Sequence, residues 1–280
     1  MAKSKERMLV THARPHLDDV AAIWLLKKFH PDFGEAGVEF LMRPASGQFA
    51  IPSGAVGIGI GRGQFDEHKG DLEDCATSLV WKWLVKQDRV KIDKNTQPAL
   101  ERLVDWVLKE DLGQLNSVPW REWSVSTVFA NYDEVVSDDD HQVYAFGVQL
   151  LESLLIAFRD QVKLDTDWAK RQEFLTRWGK AVALESEVYG SSWRAYQAGA
   201  VLVCEVDRTK GYRQIRAEAH SDVDLSEAYA VAHKQEPKAS WFLHHSKRLL
   251  LCGSGSATDF VSSKLTLQQL IDLVKLDRPG

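Results

Sequence analysis

The beginning of the chain alternates short strand-like runs with a strongly apolar helix-like run, and this order constrains the fold more than any other feature. Residues 8–11 have the pattern of a strand, residues 19–29 that of a helix, and residues 38–42 that of a second strand. This order predicts a βαβ unit, in which both strands lie parallel in one sheet. We therefore predict an α/β fold with a parallel sheet.

Further strand-like and helix-like segments alternate in the same way. Residues 55–60 read as a third strand and residues 76–86 as a second helix. Apolar residues at helical spacing predict a third helix over residues 96–109. The acidic run at residues 137–140 predicts the start of another helix, because Ser and Asp cap free N–H groups there. Two helices, 141–161 and 166–186, are expected to follow.

The last part of the chain returns to short strands. Residues 201–206 and 214–218 have strand patterns, and residues 241–245 and 248–252 predict a hairpin. On that hairpin strand, His244 and His245 would face opposite sides. A terminal helix is predicted after the capping residue Thr266. These patterns place a boundary between a domain of residues 1–187 and a smaller α+β domain of residues 188–280.

Composition limits the possible partners. The chain has 280 residues and a hydrophobic fraction of 44%, which suffices for one large or two ordinary buried cores. The net charge of −5 argues against a protein that clamps long phosphate backbones with Lys and Arg. It leaves a nucleotide or nucleic-acid substrate possible, since a bound divalent metal supplies positive charge locally.

Cysteine content and the terminal segment indicate the compartment. The three cysteines are too few and too far apart for a disulfide framework or a zinc ribbon. The charged residues 1–7 lack the apolar core of a signal peptide, and no apolar run approaches the ~18 residues of a membrane span. We expect a protein of the reducing cytoplasm that does not associate with membranes.

Two histidines and two aspartates lie where the first strand passes into the first helix. His12, His16 and Asp18 are spaced so that a strand end and a short loop can bring them together. Ligands collect at the carboxyl ends of parallel strands, and imidazole and carboxylate suit Mn²⁺, Fe²⁺ or Zn²⁺. We predict a metal site here. The alternatives are a hydrogen-bonded, half-buried His12 and, for Asp18 or Asp19, capping of the helix, which is favoured for Asp19.

A second polar cluster follows the glycine-rich residues 57–63. Their spacing is not GxGxxG and no helix opens behind them, which excludes a dinucleotide-binding loop. Asp66, Glu67 and His68 then offer three potential ligands or proton carriers, with a solvated turn as the alternative. GxSxG, HExxH and Walker motifs are missing from the sequence.

Together these motifs resemble the DHH phosphoesterase superfamily, and most closely its melanocyte-proliferating-gene branch of exonuclease-related proteins. The first motif of that branch, Thr-His, a short gap and His-x-Asp-Asp/Glu, is matched by Thr11–His12 and His16–Asp19, with a gap one residue shorter. Its Phe/Tyr-Asp-His-His signature is matched by residues 65–68, with Glu67 replacing the first histidine. An Ala/Ser-rich helix start follows at residues 76–78.

The resemblance implies a divalent metal centre, with Mn²⁺ as the expected ion. The implied ligands are His12 and His16 for a first ion and Asp18, Glu67 and Asp111 for a second. Asp105 is the second choice for the last of these positions. A metal-bridging aspartate of the superfamily would fall near Gly57 or Gly59, where this chain has no carboxylate. One ion, two ions or a non-catalytic site therefore remain open.

The resemblance also implies how a phosphate is contacted. His68 would contact the scissile phosphate, with Asp66 behind it as its orienting partner. Arg43, at the end of the second strand, would meet another phosphate oxygen through its planar guanidinium. A solvated surface arginine is the alternative for Arg43.

The C-terminal domain is expected to close over the cleft and bind the rest of the substrate. Phe242–His244 and Cys252–Gly255 match short family patterns, and His244, Arg248 and Gly253 are the binding candidates, with a simple turn as the alternative for the glycine loop. The implied activity is hydrolysis of a phosphodiester in a nucleotide or at a short or single-stranded nucleic-acid end, as in a 3'-5' exonuclease. The alternative is a non-catalytic DHH-like protein that binds a ligand or a partner.

Overall fold

The computed structural model of the protein describes residues 7–70, 73–90, 92–117, 119–188, 190–256 and 259–275. The chain divides into two units, Met1–Arg159 and Asp160–Gly280. This division falls inside a long helix, whereas the sequence predicts a boundary at 187/188. Residues 1–6 of the charged terminal segment lie outside the described residues.

A βαβ unit opens the first unit, as the strand and helix order predicts. It consists of β1 (Met8–His12), α1 (Leu17–Phe29) and β2 (Gly37–Leu41), and the two strands are parallel. A third strand, β3 (Ala55–Gly57), pairs in parallel with the other side of β1. The sheet order is β2-β1-β3, so the carboxyl end of β1 lies at the middle of the sheet edge where ligands collect.

The rest of the first unit is helical. Its elements are α2 (Ala76–Leu84), α3 (Gln97–Asp111), a 3₁₀ turn (Arg121–Trp123), α4 (Val125–Ala130), α5 (Tyr132–Val135) and α6 (Asp140–Trp168). The start of α6 confirms that the acidic run opens a helix. Asp139 Oδ1 accepts the backbone N–H groups of His141 and Gln142, which have no partner within the helix.

Helix α1 is buried on almost every side, which explains why its sequence is apolar all round. It makes polar contacts to α6 at Glu152, whose Oε1 accepts hydrogen bonds from Trp24 Nε1 at 2.8 Å and from Lys28 Nζ at 2.5 Å. The two helices also approach closely at Gly147. A Cβ atom there would lie 2.8 Å from Val20 Cγ1 and from Phe129 Cε2. A side chain at position 147 is therefore excluded by packing.

We expect Gly147→Ala to destabilise the protein by about 1–3 kcal/mol, because the added methyl group overpacks a filled contact. Helix propensity alone predicts the opposite sign, a gain of about 1 kcal/mol. Ser153→Ala, at an exposed position of the same helix, is the control and is expected to be neutral or slightly stabilising. Urea unfolding measures both variants, and a stabilised Gly147→Ala protein would contradict the packing argument.

The predicted helix over residues 166–186 is wrong. Helix α6 is one continuous element that ends at Trp168, and the hairpin β4 (Gln172–Thr176) and β5 (Gly179–Glu185) follows it. Gly179 adopts a positive φ of 130° at the turn, a conformation that favours glycine and hairpins. A short apolar run such as residues 181–184 does not distinguish a buried strand from a buried helix by its pattern.

The second unit is a six-stranded mixed sheet with helices. Its remaining elements are α7 (Ser191–Gln197), β6 (Leu202–Asp207), β7 (Tyr212–Ala217), α8 (Ser226–Gln235), β8 (Trp241–Leu243), β9 (Leu249–Cys252) and α9 (Leu267–Val274). The strand order is β4-β5-β6-β7-β9-β8, and only β5 and β6 are parallel. Ala181 and Ala183 face one core and Val182 and Leu184 the other, so the sheet is covered on both faces. Among the described helices of the whole chain, none combines the length and apolarity needed to cross a membrane.

The prediction that His244 and His245 face opposite sides is also wrong. Strand β8 ends at Leu243, so both histidines belong to the turn before β9. Their ring centroids lie only 3.9 Å apart. Strand alternation does not apply in a turn, where the backbone changes direction within two residues.

A carboxyl group is buried in the sheet of the second unit. Glu205 on β6 is 5% exposed, accepts a hydrogen bond from Gln214 Nε2 and is also contacted by Ser191 Oγ. Burial disfavours its charged form and raises the pKa of Glu205 from 4.5 to about 7. The folded chain therefore holds a proton that the unfolded chain releases near pH 4.5, and stability is lost as pH rises from 4.5 to 7.

We expect Glu205→Gln to remove this loss, because the amide carries no charge at any pH. Between pH 5 and pH 8 the wild type should lose about 2–3 kcal/mol of unfolding free energy relative to the variant. The exposed Glu227→Gln substitution is the control. Urea unfolding at several pH values measures the difference, and parallel profiles for wild type and Glu205→Gln would refute the assignment.

Candidate metal centre

A cleft with a volume of about 1020 Å³ lies beyond the carboxyl end of β1. All the site residues predicted in the first unit line it: His12, His16, Asp18, Arg43, Asp66, Glu67, His68 and Asp111. They come from the end of β1, the first turn of α1, the loops after β2 and β3, and the last residue of α3. The two polar motifs are thus brought together, with Asp111, in one place.

Three groups of side chains in this cleft have potential ligand atoms within 4.8 Å of one another. They are His12 with His16 and Asp19, Asp18 with Cys75 and Asp111, and Asp66 with Glu67 and His68. The structure therefore places Asp19 beside the two histidines, where the sequence predicted Asp18. It joins Asp18 to Asp111 as expected, but Cys75 completes that group and Glu67 belongs to the third.

The first group is organised around Asp19. Its Oδ2 atom accepts the backbone N–H of His16 at 3.0 Å, which caps α1 as predicted, and lies 3.1 Å from His12 Nε2. The other ring nitrogen of His12, Nδ1, lies 2.8 Å from the carbonyl oxygen of Ala13 and donates to it. Nε2 therefore faces a carboxylate oxygen, an arrangement that needs either a proton on the ring or a shared cation. The hydrogen bond to Asp19 accordingly raises the pKa of His12.

The backbone of the loop after β3 fits closely around Asp19. Gly59 has a φ of +64°, and a Cβ atom at this position would collide with Asp19 Oδ1. The N–H of Gly59 donates to the carbonyl oxygen of Phe65 at 2.8 Å, which fixes the loop. Because residue 59 has no side chain, the Asp19 carboxylate occupies the space in front of it.

The third group contains a hydrogen-bonded pair. Asp66 is 2% exposed, and its Oδ1 accepts the backbone N–H of His68 and lies 2.9 Å from His68 Nδ1. Burial opposes ionisation of Asp66, but these bonds and one from the N–H of Arg62 outweigh it and lower the pKa of Asp66. An ionised carboxylate only accepts hydrogen bonds, so Nδ1 of His68 is the donor in this pair, and the largely exposed ring lines the cleft.

The second group joins two buried side chains, Asp18 and Cys75, to the exposed Asp111 at the end of α3. Asp18 is 5% exposed and makes no ion pair with any described residue, and its pKa is raised well above the usual value by burial and by the charges of Asp19, Asp111 and Glu67. Burial likewise raises the pKa of Asp111 and of Glu67. Burial and the charge of Asp18 raise the pKa of the Cys75 thiol to about 12.

These residues fit a divalent cation. Carboxylate oxygens and imidazole nitrogens suit Mn²⁺, Fe²⁺ and Zn²⁺. Glu67 Oε2 is buried and has no hydrogen-bond partner among the described residues, which is costly for a carboxylate. A cation in the cleft would relieve this cost and the mutual repulsion that raises the pKa of Asp18.

Asp105 and Arg43, two further predicted residues of the first unit, differ in whether they line the cleft. Asp105, the second choice beside Asp111, lies on the exposed side of α3 and pairs with Lys109 at 2.7 Å. Arg43 is exposed and lines the cleft, and its charge disfavours protonation of His12. The geometry therefore favours Asp111 over Asp105 as a member of the site.

The candidates of the second unit do not form one cluster. His244 Nδ1 contacts Ser246 Oγ at 2.8 Å, and Arg248 Nε donates to the carbonyl oxygen of Ser221 at 2.7 Å, both in the turn before β9. Gly253 follows the other end of β9 and packs against Phe260. Five residue steps along a strand, about 16 Å, separate Arg248 from Gly253.

A second cavity, of about 520 Å³, opens on the same carboxylates. It shares Arg14, His16, Asp18 and Asp111 with the first cleft, and the rest of its wall comes mainly from α3 to α6 and the 3₁₀ turn. Its wall includes Phe129 and an ion pair of Arg121 with Glu110 at 2.8 Å. No sequence pattern predicts this cavity, because its walls belong to separate helices that only tertiary packing brings together.

The sequence patterns do not predict that Asp19 and Cys75 join these groups. Asp19 caps the helix as predicted, and its carboxylate also lies beside His12 and His16. Cys75 precedes the helix start at residues 76–78, and its identity at an N-terminal capping position was the available signal, because cysteine is not a preferred cap.

Comparison with known proteins adds no assignment. No model of a known protein family matches the chain, and no curated protein sequence matches it. The arguments about function therefore rest on the motifs and on the geometry of the cleft.

We expect Gly59→Ala to destabilise the first unit by about 1–3 kcal/mol, because the new Cβ atom collides with Asp19 and the positive φ is strained for alanine. Gly63→Ala is the matched control in the same loop, since a Cβ atom there meets no atom within 4 Å. Thermal unfolding of both variants measures the effect. Equal melting temperatures would show that Asp19 is not held against Gly59.

Proposed function

We propose that the first unit is the catalytic part of a metal-dependent phosphoesterase that hydrolyses a phosphodiester in a nucleotide or at a nucleic-acid end. The observation that carries the proposal is the convergence of three groups of ligand-type side chains in one cleft. The resemblance of the same residues to the two DHH motifs gives the reaction class. The resemblance also makes Mn²⁺ the first ion to test.

The residues of the cleft have separable tasks in this proposal. His12, His16, Asp18, Asp19, Glu67 and Asp111 would hold one or two divalent cations. Such a cation acidifies water and stabilises negative charge on phosphate oxygens. Capping of α1 and the contact with His12 keep Asp19 in place before a cation binds, so the site is preorganised.

His68 is suited to act on the phosphate. Asp66 accepts its Nδ1–H and holds the ring, so Nε2 can contact a phosphate oxygen or pass a proton to the leaving oxygen. Hydrogen bonds from two backbone N–H groups keep Asp66 ionised and rigid. Arg43, exposed on the same cleft, would bind another phosphate oxygen through its planar guanidinium.

The adjoining cavity supports a nucleotide as the substrate. A volume of about 520 Å³ is in the range of small-ligand pockets, and its wall combines Leu17, Val107 and Phe129 with a few polar groups. Apolar walls hold the faces of a planar base, and polar groups such as those of Glu110 and Arg121 can bond its edge. A phosphate near Asp18 and Asp111 and a base in this cavity would belong to one bound molecule.

A non-catalytic binding protein is the second candidate. The observation that favours it is the missing carboxylate near Gly57 or Gly59, where the superfamily resemblance places a metal-bridging aspartate. The carboxylate of Asp19 occupies the space in front of Gly59 and offers an oxygen in its stead. Metal analysis of the purified protein discriminates the two: the binding protein predicts sub-stoichiometric Mn²⁺ and no hydrolysis of bis-p-nitrophenyl phosphate.

We expect Asp111→Asn to lower phosphodiesterase activity and Mn²⁺ affinity at least about 100-fold, because an amide is a weaker ligand than a carboxylate. Asp105→Asn, the same change on the same helix, should leave both within about twofold of the wild type. Activity on bis-p-nitrophenyl phosphate and a Mn²⁺ titration measure the two variants.

His12→Ala extends the test to the other side of the cleft and should also remove metal, since it takes away one of the two imidazole ligands. The core of α1 is untouched by this change, so far-ultraviolet circular dichroism should be unchanged. Full metal content and activity in both His12→Ala and Asp111→Asn would refute the proposed centre.

A further inference from the structure

The group formed by Asp18, Cys75 and Asp111 differs from the rest of the cleft because it contains sulfur. The Sγ atom of Cys75 and one carboxylate oxygen each of Asp18 and Asp111 all lie within 4.8 Å of one another. Asp18 is 5% exposed and makes no ion pair with the described residues. A buried carboxylate without a cationic partner therefore faces a buried thiol.

Cys75 is firmly positioned by its local structure. It is the capping residue before α2, and its backbone N–H donates to Ser78 Oγ at 3.0 Å. The next turn is tied to α1, since Thr77 Oγ1 donates to the carbonyl oxygen of Asp18 at 2.6 Å. This hydrogen bond joins the first turn of α2 to α1, and it therefore helps to fix the position of Cys75 relative to Asp18.

The buried Cys75 side chain takes part in the capping box of α2 with Ser78, but capping does not require a cysteine at this position. Serine, threonine, aspartate and asparagine are the side chains that cap helices well. The other two cysteines show what packing alone looks like in this protein: Cys204 and Cys252 lie in the apolar core of the second unit. Their sulfur atoms contact the backbone carbonyl oxygens of Leu270 and Val261, and neither belongs to a potential metal-binding group among the described residues.

We propose that Cys75 is a direct ligand of the cation held by Asp18 and Asp111, and that this sulfur gives the site a preference for Zn²⁺, Co²⁺ and Cd²⁺ over Mg²⁺. The inference rests on the proposed metal centre and specifies its ligand set. The thiol loses its proton to solvent when the metal–sulfur bond forms, and the resulting thiolate and two carboxylates are balanced largely by the divalent charge. Thiolate ligands favour softer ions, whereas carboxylates alone favour hard ones.

The distances allow this ligand set. In a tetrahedral site, metal–sulfur and metal–oxygen bonds of about 2.3 and 2.1 Å place sulfur and oxygen about 3.6 Å apart. The atoms lie within 4.8 Å, so closing the site requires side-chain movements of about 1 Å. Asp111 is the last residue of α3, and an exposed helix end is the member of the group that moves most easily.

The experiment is a Cd²⁺ titration of the full-length protein after removal of metal with a chelator. The wild type should show a thiolate-to-cadmium charge-transfer band that saturates at one equivalent. Cys75→Ser keeps a capping oxygen but should lose the band and bind Cd²⁺ at least about tenfold more weakly, a larger loss of affinity than for Mn²⁺, which prefers oxygen ligands. Cys204→Ser and Cys252→Ser are the matched controls and should retain the band.

Cadmium-113 NMR of the wild type also tests whether Cys75 sulfur binds the ion, and it does not depend on the folding of a variant. A sulfur ligand shifts the cadmium resonance far downfield of the resonance of a site with only oxygen and nitrogen ligands. A wild type without the charge-transfer band or this shift would overturn the role of Cys75. If that protein still binds Mn²⁺ and hydrolyses the phosphodiester, the proposed function stands. Failure to bind either ion would overturn both.

Discussion

The carboxylate of Asp19 is the contact on which the arrangement of the first unit depends. One oxygen caps α1 and lies against His12, and the other fills the space that the absent side chain of Gly59 leaves. The connection from β1 to α1 and the loop after β3, two segments that are distant in sequence, are thereby fixed to one point beyond β1. A helix cap, a contact with His12 and a packing contact are provided by the same group, so a change there affects both folding and the arrangement of the cleft.

The cleft concentrates more negative charge than its own cations neutralise. Asp18, Glu67 and Asp111 all hold raised pKa values because burial and mutual repulsion disfavour ionisation. Only Asp66 has its pKa lowered, since backbone N–H groups and the His68 ring stabilise its charge. Such a division separates three carboxylates whose ionisation is disfavoured from one whose charge is stabilised beside a histidine.

The second unit is organised by a sheet that separates two apolar cores. Its sheet is covered on both faces, and the alternation of alanine and larger apolar residues along β5 separates the two cores. Burial raises the pKa of Glu205 to about 7, and hydrogen bonds from neighbouring side chains reduce the cost of burying this carboxyl group. His244 and Arg248 lie in the turn between β8 and β9.

The sequence by itself determined the βαβ order, the helix that starts at the acidic run, and the types of residue that form the site. Periods of hydrophobicity and capping residues are local signals, and they act within a few positions. The tertiary structure decided which carboxylate joins which group. Consecutive helical residues point about 100° apart, so Asp18 and Asp19 face different partners, and Asp111 rather than Asp105 meets the cleft. Cys75 joins them through packing of α2 on α1, a contact that no local pattern encodes.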